Sequence, residues 1–538
     1  MKSLTIKKLF RMHSWVGIVT GILLFVVSFT GALAVFAKPH LSIWASASES
    51  YVTSHVPTQA VENLINEYAQ KVPQAFRENI HVFMPNGYGF TKLVLLYESH
   101  DGDENYQKEA AYVYEFNSQT YALEHKFYGE TGDYYENRQS NMARYIGHFH
   151  ADLHLGRPIG LILTGFLGLT LMVSVITGLY IHRDMFKQMF TFRRNKSVDV
   201  VVADGHKLFG LWGSLFHIVI GFTGAILGLA TIIMLPAAAY VSFNGDQERL
   251  IETFTAMPET VISHEYQKTQ IVDVMVNVKS LDDKAVLRDL TIMALNDKNS
   301  VVYARTIGGE NVASSIVKYS GEGEFIKRMS SLGDILGPAI KVVEWIYPMH
   351  FGNFGGLFVK FIWSVLGLTT ALIPLSGVMM WLAKRSRGQN PDLSLKAYQR
   401  WNRLIIGSCG GVVLACALLF PAQVLMNTFI EGSQHNAYFG SIFFGSWLAW
   451  LLVCIAPMGY RYLLKINALL VAVCFTFVVP LKLVFQHNYL SQLTNSNYQI
   501  VTSVDLVCIV FAALFFYLFN KVEMKEVEML AGLKEQTL

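Results

Sequence analysis

The sequence predicts an all-α polytopic membrane protein of about eight transmembrane helices, with a duplicated four-helix core and two small α+β domains outside the membrane. Three observations predict it. Eight stretches are apolar and long enough to cross a bilayer, which takes roughly 20 residues each. Only 15% of the 538 residues are charged while 52% are hydrophobic, whereas soluble domains carry about 25% charge. The same short motifs also recur around the first and third apolar stretches, and around the second and fourth.

The apolar stretches fall near 14–37, 159–181, 208–235, 356–382, 402–424, 440–458, 464–484 and 501–519. The first is too long for a removed signal peptide and lacks a small-residue cleavage site. Orientation follows from basic residues in short connections. Lys7, Lys8 and Arg11 precede the first span, and Arg193, Arg194 and Lys196 separate the second from the third. Lys384 and Arg385 follow the fourth, Arg461 and Lys465 lie between the sixth and seventh, and Lys521 follows the eighth. All fall on one side if both termini are cytoplasmic, as expected for a multi-pass protein of a bacterial inner membrane.

The domain order is then 1–37 (N-terminus and first span), 38–158 (first outer domain), 159–235 (second and third spans), 236–355 (second outer domain), 356–388 (fourth span) and 389–538 (four further spans). The first outer domain opens with apolar residues at helical spacing, Val61, Leu64, Ile65, Tyr68 and Ala69. Alternating stretches at Lys92–Tyr97 and Ala111–Phe116 read as strands. The second repeats this order with Ile271–Val278, then Val286–Leu295 and Ser300–Thr306. A net charge of +3 and the lack of basic runs interleaved with aromatics exclude a nucleic-acid partner. The five cysteines all lie in the apolar C-terminal third, and no Cys-x-x-Cys-His is present, so covalently attached haem is excluded.

The internal repeat is specific. The first span reads His13-Ser-Trp-Val-Gly17 and later Ser28-Phe-Thr-Gly31; the third reads His206-Lys-Leu-Phe-Gly210 and later Gly221-Phe-Thr-Gly224. The second follows His150-Ala-Asp-Leu-His154 and ends Ile176-Thr-Gly178; the fourth follows Met349-His350-Phe-Gly352 and ends Leu375-Ser-Gly377. The repeated unit is span, outer domain, span. The Thr-Gly and Ser-Gly pairs are expected to allow close helix packing, since small residues permit close approach in lipid.

Histidines gather at the ends of these four spans. His13 and His206 are repeat-equivalent at the cytoplasmic edge, and His150 or His154 with His350 lie at the outer edge. His150 and His154, four apart, would share one helix face. Imidazole is a suitable axial ligand for haem iron, and one histidine from each of two facing helices suffices. The repeat offers that arrangement twice, once near each membrane face. His217 lies eleven residues after His206, about three turns of a continuous helix, and is a weaker candidate. A zinc site at His148, His150 and His154 is the competing metal reading, but its repeat copy lacks such a cluster.

At these residues the chain resembles the PepSY-associated transmembrane proteins, a group of iron-regulated or iron-uptake membrane proteins. The resemblance rests on Arg11-x-His13-x-x-x-Gly17, on Phe149-His150-x-x-x-His154-Leu-Gly156-x-Pro158, on His206-x-x-x-Gly210 and on Met349-His350-Phe-Gly352, and covers about residues 5–388. It implies a four-span core with PepSY-like periplasmic domains and two b-type haems held by these histidines. The implied activity is that of an oxidoreductase, a ferric-siderophore reductase that releases Fe(II) in the periplasm for iron uptake. The implied partners are the lipid bilayer, a ferric siderophore or other Fe(III) chelate, and a cytoplasmic electron donor or quinol. In the family pattern His150 is the matching ligand and His154 a second candidate. The last four spans lie outside the family core. The competing readings are a transporter or permease, since a repeated bundle suits one, and a PepSY-type sensor or regulator without redox activity.

Overall fold

A computed structural model describes residues 3–46, 57–85, 90–99, 109–118, 120–138, 141–182, 184–246, 260–308, 314–329, 338–386, 392–486, 489–493 and 498–522. In chain order the helices used below are α1 (Ser3–Ala34), α2 (Thr58–Ala69), α3 (Met142–Asp152), α4 (Ile159–Ile181), α5 (Val198–Trp212), α6 (Ser214–Leu229), α7 (Ile271–Leu281), α8 (Pro338–Phe351) and α9 (Gly356–Ser386). They are followed by α10 (Leu395–Phe429), α11 (His435–Ile455), α12 (Tyr460–Phe485) and α13 (Gln499–Lys521). Seven of these helices are long and apolar enough to span a membrane, and the pair α5–α6 supplies an eighth span. The third span is therefore not the single helix the hydropathy suggests. It is bent by 68° at the one-residue break between α5 and α6, where Gly213 stands.

The four core spans pack in two crossed pairs, α1 against α9 and α4 against α6. The repeat exchanges the pairs, because α1 corresponds to α6 and α4 to α9. At the α4–α6 crossing a Cβ on Gly168 would lie 2.7 Å from the Gly221 carbonyl oxygen, and one on Gly228 would lie 2.8 Å from Gly165 Cα. Without a hydrophobic drive between helices in lipid, such close backbone approach supplies the packing energy.

Outside the bundle, the strands are β1 (Asn79–Phe83), β2 (Leu93–Ser99), β3 (Ala110–Phe116), β4 (Leu123–Glu130), β5 (Val286–Met293), β6 (Val301–Ile307), β7 (Ser315–Ser320) and β8 (Phe325–Met329). The two outer segments share one eight-stranded antiparallel sheet, order β4-β3-β2-β1-β5-β6-β7-β8. The join is β1 against β5, with His81 opposite Thr291. Each half would otherwise expose a strand edge to water, and mutual pairing removes both edges. Helices α2 and α7 cover one face, packing Val61, Ile65 and Val274 against Ile80, Leu95 and Ile292.

The last four spans dock on the core through polar contacts buried in apolar surroundings. Asp505 on α13 accepts from Lys482 Nζ at 2.8 and 3.0 Å, from Trp44 Nε1 at 2.7 Å and from Tyr489 Oη at 2.9 Å. Trp44 belongs to the short helix Ser42–Ala45 that follows α1, so the cluster ties this module to the first span. Asp505→Ala would leave the Lys482 ammonium buried without its counter-ion. Breaking a buried pair in this way costs about 3–5 kcal/mol, so the variant is expected to unfold at a clearly lower temperature in detergent. An unchanged unfolding temperature would show that the cluster does not hold the module in place.

Candidate functional site

Four histidines meet in two pairs. His13 on α1 and His206 on α5 have ring centres 6.1 Å apart with planes at 84°. His150 on α3 and His350 on α8 have ring centres 6.0 Å apart with planes at 30°. Two in-line metal–imidazole bonds of about 2.0 Å, with each nitrogen about 1.1 Å from its ring centre, put ring centres about 6.2 Å apart. Both separations are close to that spacing. His13 and Gly31, against which His150 rests, lie eighteen residues apart on α1. That is about 27 Å of helix rise, close to the roughly 30 Å hydrocarbon thickness of a bilayer. The pairs thus lie near opposite membrane faces.

Each ring is held by the same device on a neighbouring helix. His13 Nδ1 donates to the Ser174 carbonyl at 3.0 Å and lies 3.2 Å from Thr177 Oγ1. His206 Nδ1 donates to the Ile373 carbonyl at 3.1 Å and lies 2.9 Å from Ser376 Oγ. His150 Nδ1 donates to the Val27 carbonyl at 2.9 Å. His350 Nδ1 lies 2.9 Å from Thr223 Oγ1, whose own hydrogen goes to the Val219 carbonyl at 2.7 Å, so His350 is the donor there too. In every case a Thr or Ser is followed by a glycine lying under the ring: Gly178, Gly377, Gly31 and Gly224. The accepting carbonyls of Ser174, Ile373 and Val27 each lie three residues before that Thr or Ser.

This arrangement has a chemical consequence. A neutral imidazole that donates from Nδ1 carries its lone pair on Nε2, the tautomer that ligates a metal through Nε2, and the outer hydrogen bond also fixes ring orientation. At the outer pair the neutral form is favoured further. Burial pushes His350 down to about 3, with His150 beside it adding to the effect, and burial likewise lowers His150.

The Thr-Gly and Ser-Gly endings, expected to serve helix packing, thus seat the histidines. A Cβ on Gly31 would lie 2.6 Å from His150 Cε1; on Gly224, Gly178 and Gly377 it would lie 3.2 to 3.4 Å from the facing ring. The signal was present in the sequence, since each glycine accompanies one histidine of the repeat.

His154 does not join the outer pair. Helix α3 ends at Asp152, and both Leu153 and His154 have positive φ, so the face shared by residues four apart is lost. The His154 ring turns instead to Tyr145 and Phe444, with Nε2 3.2 Å from the Tyr145 carbonyl. His217 also departs from expectation. The bend at Gly213 breaks the three-turn alignment with His206, and its buried ring lies over Gly213 and against Phe216. No group of three or more potential ligands converges among the described residues, so His148, His150 and His154 do not assemble a zinc site. The outer histidines ride on separate short helices, α3 and α8, rather than on the span ends themselves.

The last four spans reach the site through α3. Gln423 Oε1 on α10 accepts the Met142 backbone N–H at 2.8 Å, satisfying a donor in the first turn of α3. Phe149 packs on Phe443 of α11 with ring centres 4.7 Å apart. The module therefore braces the helix that presents His150.

The two pairs differ in their surroundings. His150 and His350 line a cavity of about 1280 Å³ between the outer end of the bundle and the sheet. His13 and His206 do not line it.

Comparison with known proteins agrees with this layout. The family model described as "PepSY-associated TM region" matches residues 10–384, which include all four paired histidines. A relative from Pseudomonas aeruginosa, "Uncharacterized protein PA4219", is 23% identical over 322 residues, 56% of this chain and 78% of the relative. With the match running from the first span through the fourth, the chain belongs to the PepSY-associated TM region family.

Proposed function

We propose that this chain is a haem-containing inner-membrane reductase that delivers electrons to a ferric siderophore or another Fe(III) chelate in the periplasm and releases Fe(II). The observation that supports it is the two facing histidine pairs, 6.1 and 6.0 Å apart, whose rings all donate from Nδ1 to a neighbouring helix. His13 and His206 would hold one b-type haem, and His150 and His350 a second. When bound, such groups supply one-electron carriers at the two faces of the bilayer.

The chain's own residues do the rest. Carbonyls and hydroxyls of α1, α4, α6 and α9 hold each ring in one tautomer and orientation. The glycines let the rings sit close to the helices. The outer cavity admits an acceptor to the His150–His350 side. The basic residues of the short connections favour cytoplasmic termini and a periplasmic sheet. Electrons then enter at the His13–His206 end from a cytoplasmic donor or quinol. A transporter or a sensor has no need for paired, Nδ1-anchored histidines at both membrane faces.

The test is a single-turnover experiment. Purified protein reduced with dithionite and freed of excess reductant is mixed anaerobically with a ferric chelate. The reduced α-band should disappear, with one Fe(II) trapped by a ferrous chelator for each haem oxidised. A reduced spectrum that persists in the presence of ferric chelate contradicts the reading.

A further inference from the structure

The outer cavity carries a basic wall built from three segments far apart in the chain. Lys38 follows α1, Arg144 lies on α3 and Arg288 lies on β5, and all three line the same cavity as His150 and His350. Arg288 is aimed there by a local irregularity. The β5–β6 register shifts between Leu287 and Asp289, making Arg288 the extra residue of a β-bulge. Leu287 and Leu290 both pack on the helix-covered side of the sheet, so the bulge re-aims Arg288 toward the bundle.

Arg157 and Glu344 line this cavity as well, and its remaining charges have local partners. Lys92 is paired with Glu124 at 2.6 Å. Lys360 is buried and donates to the Val35 and Lys38 carbonyls at 2.7 and 3.2 Å. Of the acids, Glu115 accepts from Tyr134 Oη at 3.0 Å and Asp152 accepts from the His154 N–H at 2.9 Å. Arg144 donates to the Tyr135 carbonyl at 2.6 Å and Arg288 has Asp289 at 3.2 Å, contacts that orient the two guanidinium groups. Lys38 is exposed to the cavity although protein surrounds it. Burial, with Arg288 and Arg144 near, holds its ammonium below the usual range. Basic residues outnumber acidic ones along the lining, so the cavity favours an anion placed among them.

The geometry points to an anion-binding site formed by Lys38, Arg144 and Arg288, which selects negatively charged Fe(III) chelates as the substrates of the outer histidine pair. This rests on the reductase reading above for its purpose, while the site itself rests on the cavity. Drug-sized ligands occupy pockets of roughly 300–1,000 Å³, so a cavity of about 1280 Å³ has room for a chelate. Charge complementarity in such a cleft both draws the ligand in and discriminates against neutral or cationic ones.

The experiment uses gallium(III) chelates, which match ferric ones in charge and shape but accept no electron under these conditions. A gallium tris-catecholate, three times negative, and a neutral gallium trihydroxamate of similar size are titrated into the purified full-length protein. The anionic chelate should bind about tenfold tighter or more, and its affinity should fall with added salt. Arg288→Glu, and separately Lys38→Gln on a different segment, should weaken anionic binding about tenfold or more for the first and less for the second. Both variants should keep their haem content and leave neutral-chelate binding unchanged. Equal binding of the two chelates overturns the proposal. So does loss of haem from Arg288→Glu with anionic-chelate affinity retained, because the cations would then hold the haem carboxylates. Anionic binding by a chain that carries no haem would sink the reductase reading and leave this site standing.

Discussion

His350→Ala is expected to remove about half of the bound haem, because one of two axial-ligand pairs is broken while the other is untouched. Loss of a hydrogen-bond partner behind a ligand already costs roughly 10–100-fold in metal affinity; loss of the ligand itself costs more. The inner pair should survive, since His13 and His206 are held by α4 and α9 and not by α8. His154→Ala is the informative comparison. Its ring packs on Tyr145 and Phe444, so the haem content of this variant should match the unaltered protein. The haem-to-protein ratio from the pyridine haemochrome checks both. Unchanged haem in His350→Ala, or a loss in His154→Ala equal to that in His350→Ala, contradicts the assignment of ligands.

The second large effect is expected from a residue with no side chain. Gly31→Val would put a Cβ 2.6 Å from His150 Cε1 and 2.9 Å from its Nδ1. The ring has little freedom to retreat, because Nδ1 is bonded to Val27 on the same helix and the adjacent Phe149 is packed against Phe443. Overpacking of this kind costs about 1–3 kcal/mol, which corresponds to a roughly five- to 150-fold weaker outer haem site. Gly17 on the same helix has nothing within 4 Å of its would-be Cβ, so Gly17→Val should leave haem binding unaltered. Gly178→Ala should be milder than Gly31→Ala, since its Cβ would meet His13 Cε1 at 3.3 Å. Measuring haem retention after dilution, side by side for Gly31→Val and Gly17→Val, reads the difference. Equal retention would mean that the glycine does not seat the ring.

Much of this could be read from the residues, for identifiable reasons. Spans appear as apolar runs because every backbone polar group in lipid must be satisfied within a helix. The repeat appears because His13 and His206, or Thr30-Gly31 and Thr223-Gly224, stand in matching places. The helices at α2 and α7 and the strands β2, β3, β5 and β6 lie where periodicity predicts them. What escaped is long-range. Pairing of β1 with β5 joins segments about two hundred residues apart, and no local pattern encodes that register. The bend before α6 is carried by a single residue, Gly213, in an otherwise apolar run, so the three-turn spacing that would set His217 on the face of His206 holds only for an unbroken helix. The Thr-Gly pairs were legible as a motif, but their partners lie on other helices, and packing explained them equally well. Gln423 and Trp44 gain their roles only when the C-terminal module meets α3 and the end of α1.

The most direct test of the central claim, that the two histidine pairs each hold a haem, is the absorbance spectrum and haem-to-protein ratio of the full chain purified from haem-replete cells. A Soret band, a sharp α-band on reduction and about two b-type haems per chain in a low-spin, bis-imidazole state are predicted. A colourless preparation of folded protein would contradict the account.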